Sequence, residues 1–140
     1  MNTLKLNCID FKKSENDCLH YIGGNNLEDY NGNVEIEENL GFVQFKSLKI
    51  KGYIYAKAGT GIKAGTGIEA GGGIEAGGGI KAGWGIKAGL SISSKSISCK
   101  LRIFAGICMW KIPNENEKQI ICEEIKDGEI AFGVLKVTQK

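Results

Sequence analysis

The sequence predicts an all-β protein: a short parallel β-helix with a six-residue repeat, extended by flanking strands and a C-terminal β-hairpin. Three observations predict it. Ile62, Ile68, Ile74, Ile80, Ile86 and Ile92 recur every six residues without a slip. Thirteen of the 21 glycines fall between residues 58 and 91, so the glycine excess belongs to one segment. On both sides of that segment the chain alternates apolar and polar residues, the period of a strand with one face buried.

From Ala58 the units read AGTGIK, AGTGIE, AGGGIE, AGGGIK, AGWGIK and AGLSIS. Six is not a helical period, and two or three glycines per unit would ruin a helix. Six is a multiple of two, so in extended chain every Ile falls on one face together with Ala64, Ala70, Ala76 and Ala82. Lys63, Glu69, Glu75, Lys81 and Lys87 then point the other way. A single strand of this length would run to about 115 Å, whereas a compact chain of this size has a radius of gyration near ~14 Å. The segment must therefore turn repeatedly, with glycine supplying either positive φ or close backbone approach at each corner. Coiling that stacks like on like gives a solenoid with an Ile ladder inside. The charges bear on how many units close one coil. Twelve residues apart, Lys63/Glu75, Glu69/Lys81 and Glu75/Lys87 are all opposite in sign, while at eighteen Lys63/Lys81 repel and Glu69/Lys87 attract. Cross-strand charge pairs are worth a few tenths of a kcal/mol, which favours two units per coil over three.

The flanks supply the cover the repeat needs. Residues 1–33 read as an N-terminal strand and a loop region, with a short helix expected around Cys18 to Tyr21. Residues 34–57 hold leading strands at Val34–Ile36, Phe42–Phe45 and Leu48–Tyr55. After the repeat (58–92), residues 93–140 begin with a strand in which Ile97, Cys99, Leu101 and Ile103 face inward. Gln119–Ile125 and Glu129–Val137 then flank Asp127-Gly128, a two-residue hairpin signal. At 140 residues the chain reads as a single domain, 1–140.

The net charge is only +2, but it is unevenly spread. Residues 14–45 hold seven acids and no Lys or Arg, and residues 46–111 hold eleven basic residues against Glu69 and Glu75. Either the acidic arm folds beside the basic middle, which is favoured, or a basic face is offered to nucleic acid or an acidic partner. Five cysteines (Cys8, Cys18, Cys99, Cys108, Cys122) lack C-x-x-C spacing, so they read as reduced, buried apolar side chains and neither a disulfide framework nor a zinc site. Lys5, Asp10 and Lys12 interrupt the N-terminus, so no secretory signal is read there. The longest apolar run, Ile103 to Trp110, is too short to span a bilayer. The expected location is cytoplasmic, with no membrane contact.

No catalytic constellation emerges, and the expectation is a non-enzymatic protein without cofactor or metal. Gly71, Gly73 and Ala76 satisfy a dinucleotide-loop spacing, but so does every turn of the repeat and no helix follows. His20 is the only histidine and sits in a polar stretch, where solvation is the simplest account. Neighbouring Glu15 and Asp17 disfavour a Cys18 thiolate. Glu37-Glu38 and Glu123-Glu124 point to opposite faces of a strand. Trp84 occupies the variable slot of the repeat, where it either packs over the glycines of a neighbouring coil or stands out as an interface anchor. Trp110 reads as core or dimer contact. Tyr53, Tyr55 and Phe104 near Lys51, Lys57 and Arg102 allow base stacking, but sheets carry such aromatics for packing.

Over Ile54 to Leu101, above all GIEAGGGIEAGGGIKAGWGIKAG, and in LRIFAG at Leu101–Gly106, the chain resembles small proteins of bacteriophages and mobile elements of low-GC bacteria, among them an anti-CRISPR family. That resemblance implies a protein inhibitor in the host cytoplasm whose partner is a CRISPR effector nuclease complex. It carries over no functional residue, and the charge of +2 departs from the acidic DNA mimics of that class. Candidate contacts are an outward row of Lys63, Lys81 and Lys87 with Trp84, or the acidic arm Glu35, Glu37 and Glu38. The alternatives are a structural β-helix that self-assembles or dimerises through open sheet edges, and nucleic-acid binding by residues 46–111.

Overall fold

A computed structural model describes residues 2–13 and 19–138. The chain winds as a parallel solenoid with three short strands to each coil. The coils begin at the N-terminus with β1 (Thr3–Leu6), a 3-10 turn at Cys8–Asp10, β2 (Phe11–Lys13) and β3 (Leu19–Tyr21). The next coil is β4 (Asn33–Ile36), β5 (Gly41–Phe45) and β6 (Leu48–Ile50). Then come β7 (Ile54–Ala56), β8 (Thr60–Ala64) and β9 (Ile68–Ala70), followed by β10 (Ile74–Ala76), β11 (Ile80–Ala82) and β12 (Ile86–Ala88). The long strand β14 (Ser96–Ala105) follows β13 (Ile92–Ser93) and covers two faces by itself. A last coil holds β15 (Gln119–Cys122) and β16 (Glu124–Phe132), and β17 (Val134–Val137) starts one strand of a further level.

Three faces result. Leu4, Val34, Ile54, Ile74, Ile92, Ile120 and Leu135 stack rung upon rung inside the first. Leu19, Val43, Ile62, Ile80, Ile97 and Ile125 do so in the second. Leu48, Ile68, Ile86, Ile103 and Ile130 line the third. All six repeat isoleucines are buried to 1% exposure or less, and after the first five the alanine two residues on is buried beside them. Each buried Ile contributes about 1.5–3 kcal/mol.

The coil therefore takes three hexapeptides, because Ile62 pairs with Ile80, Ile68 with Ile86 and Ile74 with Ile92, eighteen residues apart. The expectation of two units per coil is corrected: Lys63 does lie beside Lys81, like against like. Exposed charge pairs are worth too little to decide the cross-section against a full rung of isoleucines. The corners explain the glycines. A Cβ on Gly83 would collide with the carbonyl oxygen of Gly65, and one on Gly89 with that of Gly71. Of the two roles open to glycine, close approach dominates, since Gly59 alone within the repeat has positive φ (+78°). Backbone hydrogen bonds run on through the corners, with Trp84 N donating to Thr66 O (3.0 Å) and Leu90 N to Gly72 O (3.2 Å).

The flanks are further coils of the same solenoid. Leu48–Tyr55 is two strands with a corner at Lys51–Tyr53. The expected hairpin is absent: Asp127-Gly128 lies within β16, which runs parallel to β14, and β17 pairs parallel with β15. The positive φ of Gly128 (+115°) makes a corner in the coil here instead of a chain reversal. Antiparallel pairing occurs instead between β2 and β3, among the described residues. Leu19–Tyr21 is a strand and not a helix, while Cys18, Glu15 and Asp17 lie outside the described residues.

The N-terminal end is closed. Phe11, Tyr21 and Phe45 form a ring cluster with centroids 5.6–5.8 Å apart, and Leu27 is buried nearby. Asn7 caps the 3-10 turn and Asp10 returns the bond, while the Cys8 N–H donates to the Glu37 carboxylate at 2.9 Å.

Candidate functional site

Because each inward Ile is flanked by two outward residues, every face carries two outward rows. On the first face one row reads Glu35, Tyr55, Glu75, Ser93, Ile121 and Lys136. On the second it reads Gln44, Lys63, Lys81 and Ser98, with the Lys81 ammonium 5.0 Å from the centroid of the Phe42 ring. On the third it reads Lys49, Glu69, Lys87 and Phe104.

This geometry divides the expected contacts. Lys63 and Lys81 are neighbours, but Lys87 lies on the next face, so the three lysines do not form one row. Lys87 and Trp84 do share a groove. Of the acidic trio, Glu35 accepts a hydrogen bond from the Tyr53 hydroxyl (2.9 Å), Glu37 holds the turn at Cys8, and Glu38 is exposed. His20 lies on β3, opposite Lys12 and Gln44, half-buried and not in a solvated loop.

The groove runs along the third face, with a volume of about 890 Å³. Its floor comes from the second outward row, where Gly67 and Gly85 leave the backbone bare. Trp84 lines it and is 60% exposed, so it anchors nothing inside the neighbouring coil. Leu101, expected to point inward, is 59% exposed beside it. The reason is the repeat itself. Ile97-Ser-Cys99-Lys-Leu-Arg-Ile103-Phe-Ala105 is a degenerate Ile-x-Ala-Gly-x-Gly unit, in which Cys99 takes the alanine slot and Lys100-Leu101-Arg102 form the corner. Leu101 thus occupies the slot that Trp84 occupies one coil earlier, and the Leu101 N–H donates to Trp84 O (2.9 Å). Half-buried Phe104 follows on the same face. The charged rim is mixed: Lys87, Lys100 and Arg102 alternate with Glu69, Asp127 and Glu129.

A second apolar feature lies at the corner between the third and first faces. From Ile92 to its partner Ile120 the coil takes twenty-eight residues instead of eighteen. The extra length leaves at Gly106 (φ +84°) and returns through a 3-10 turn at Glu115–Lys118. Asn114 and Glu117 cap each other there, and the Lys111 ammonium lies 2.6 Å from the Glu117 carboxylate. The bond from Lys111 and that from the Asn114 N–H hold the Glu117 carboxyl below its ordinary pKa. Between these braces Met109, Trp110 and Ile112 stand 96%, 65% and 93% exposed. Trp110 is therefore not core, and Met109 and Ile112 gave no sign in a non-periodic stretch.

Among the described residues no group of three or more His, Cys, Asp or Glu is placed to hold a metal ion. Burial pushes the Cys99 and Cys122 thiols up, away from the reactive thiolate. No helix among the described residues is long and apolar enough to cross a membrane. Compared with known proteins, the chain matches no family model, no curated protein and no solved structure.

Proposed function

We propose that this chain is a non-enzymatic protein inhibitor that acts by docking its third face and the adjoining loop on a protein partner. The observation that carries the reading is the composition of that face: an apolar centre of Trp84, Leu101 and Phe104 inside a rim of mixed charge. Protein interfaces have an aromatic, apolar centre and a polar rim, and Trp is prominent among the residues that dominate their energy. A nucleic-acid track demands one sign of charge along its length, and Glu69, Asp127 and Glu129 interrupt it here. The braced loop adds Met109, Trp110 and Ile112 as side chains already held out for burial, which lowers the ordering cost of binding.

The resemblance of the glycine repeat to anti-CRISPR proteins makes a CRISPR effector nuclease complex the partner to test first. The wild-type chain is expected to co-purify with effector subunits and to protect phage from interference. Trp84→Ala should weaken that association by about 30-fold or more, the scale of an interface hot spot, with an unchanged melting temperature because Trp84 supports no core contact. Failure of the wild type to retain an effector subunit and to protect phage removes the CRISPR assignment. Binding to nucleic acid that weakens steeply with salt replaces the protein reading altogether.

A further inference from the structure

The two ends of the solenoid are finished differently, and the C-terminal end has the shape of half an interface. Along the first face Ile92 and Ile120 are fully buried, but the next rung, Leu135, is 44% exposed. On the other two faces Ile97 and Ile103 are fully buried, while Ile125 and Ile130 above them are only partly so. The isoleucine interior thus runs out to the end surface, joined there by Phe132, Val134 and Val137 at 46%, 48% and 61% exposure. No aromatic cluster covers it among the described residues, in contrast to Phe11, Tyr21 and Phe45 at the other end.

The end is also stepped. β17 rises one strand above β15 on the first face, whereas the second and third faces stop at β16. The Thr138 N–H donates to Cys122 O at 2.8 Å. Backbone groups of alternate residues point to alternate sides of a strand, so Lys136 faces β15 while Leu135 and Val137 direct their N–H and C=O groups to the open edge. A ledge and a notch on one surface are self-complementary under a two-fold rotation. Turning a copy end over end reverses the sense of its coil, so strands meeting across the junction are antiparallel.

We infer that a second copy of this chain occupies this end, tail to tail, with each β17 adding to the other copy's β16. Charge complementarity favours this pairing. β17 carries Lys136 as its one charged residue, and β16 carries Glu124, Asp127 and Glu129 against Lys126. β17 against β17 would instead set Lys136 against its own copy. A two-fold contact of this kind uses the C-terminal end of both copies, so association through it stops at two. The contact leaves Trp84 and Leu101 uncovered but shares Asp127 and Glu129 with the rim of the groove, and its test reads association of this chain with itself, apart from any partner of the function proposed above.

Sedimentation equilibrium of the 140-residue chain over a roughly thousandfold concentration range tests it. The expected mass is that of two chains, falling to one on dilution. Val137→Pro removes an edge-facing N–H without breaking a bond inside the chain, and should give one-chain mass throughout with the wild-type circular dichroism spectrum. Leu135→Asp, which places a charge on the apolar end, should do the same. A wild type of one-chain mass at every concentration overturns the inference, as does a polymer larger than two. Two-chain mass in folded Val137→Pro or Leu135→Asp also overturns it.

Discussion

The first coil and the last coil of this protein solve the same problem in opposite ways. Both must finish a column of apolar rungs whose middle isoleucines are buried to 1% exposure or less. At the N-terminus the column meets three aromatic rings, an antiparallel strand pair and a capped turn tied down by Glu37. At the C-terminus the rungs simply continue, and among the described residues nine of the twelve exposed large apolar side chains lie from Trp84 onward. A solenoid needs a cap at each end to remain soluble. The difference teaches that the buried column runs through both halves of the molecule, while exposed apolar surface gathers in the C-terminal one.

The strongest way to break the contrast is a charge in the middle of the column. Ile74→Asp buries an uncompensated carboxylate between Ile54 and Ile92 and should abolish the folded state, a loss of more than about 4 kcal/mol. Leu135→Asp, on the same row but half-exposed, should cost a single chain less than about 1 kcal/mol. Denaturant titration of both variants at high dilution measures the gap, and equal losses would contradict a buried column with an open end. Next in size is the closed end. Phe11→Ala removes a ring in contact with both Tyr21 and Phe45 and should cost about 3 kcal/mol, against under about 0.5 kcal/mol for Val137→Ala in the monomer. Similar costs would show that both ends are equally packed.

Smallest is a comparison of two glycines. Gly83→Ala meets the Gly65 carbonyl and should destabilise by about 1–3 kcal/mol. Gly24→Ala has open space around it at the closed end and should change thermal stability by less than about 0.5 kcal/mol. If Gly83→Ala melted like wild type, close coil approach would not be what the repeat glycines provide.

The central coils were legible because their period is strict: Ile in, Ala in, charge out, with no competing pattern. The outer coils were half legible. Val34, Val43 and Leu48 read as strands, but the shared scheme that makes them rungs of one column is hidden where Tyr53, Lys51 or Lys100 replaces a repeat glycine. Leu101 was misplaced for that reason, since simple alternation carries an inward face straight through a corner that consumes three residues. The cross-section was misread because exposed charge pairs are weak, and Asp127-Gly128 was misread because a local turn preference serves a corner as well as a reversal. Of the candidate site, Trp84 and Lys87 were recognisable from the repeat. Arg102 and Phe104 were placed near aromatics and bases but not in a groove, and Met109 and Ile112 obey no period at all.

Three hexapeptides per coil make the molecule a kind of combination lock. Gain or loss of one unit would leave every isoleucine inside yet turn all downstream surface by a third of a revolution, carrying Trp84 from the third face to the first or the second. Gain or loss of three would restore the alignment and change only the height. A tandem repeat of this kind, in which neighbouring units are nearly interchangeable, can therefore re-deal its exposed surfaces by changes in repeat number that its interior does not register.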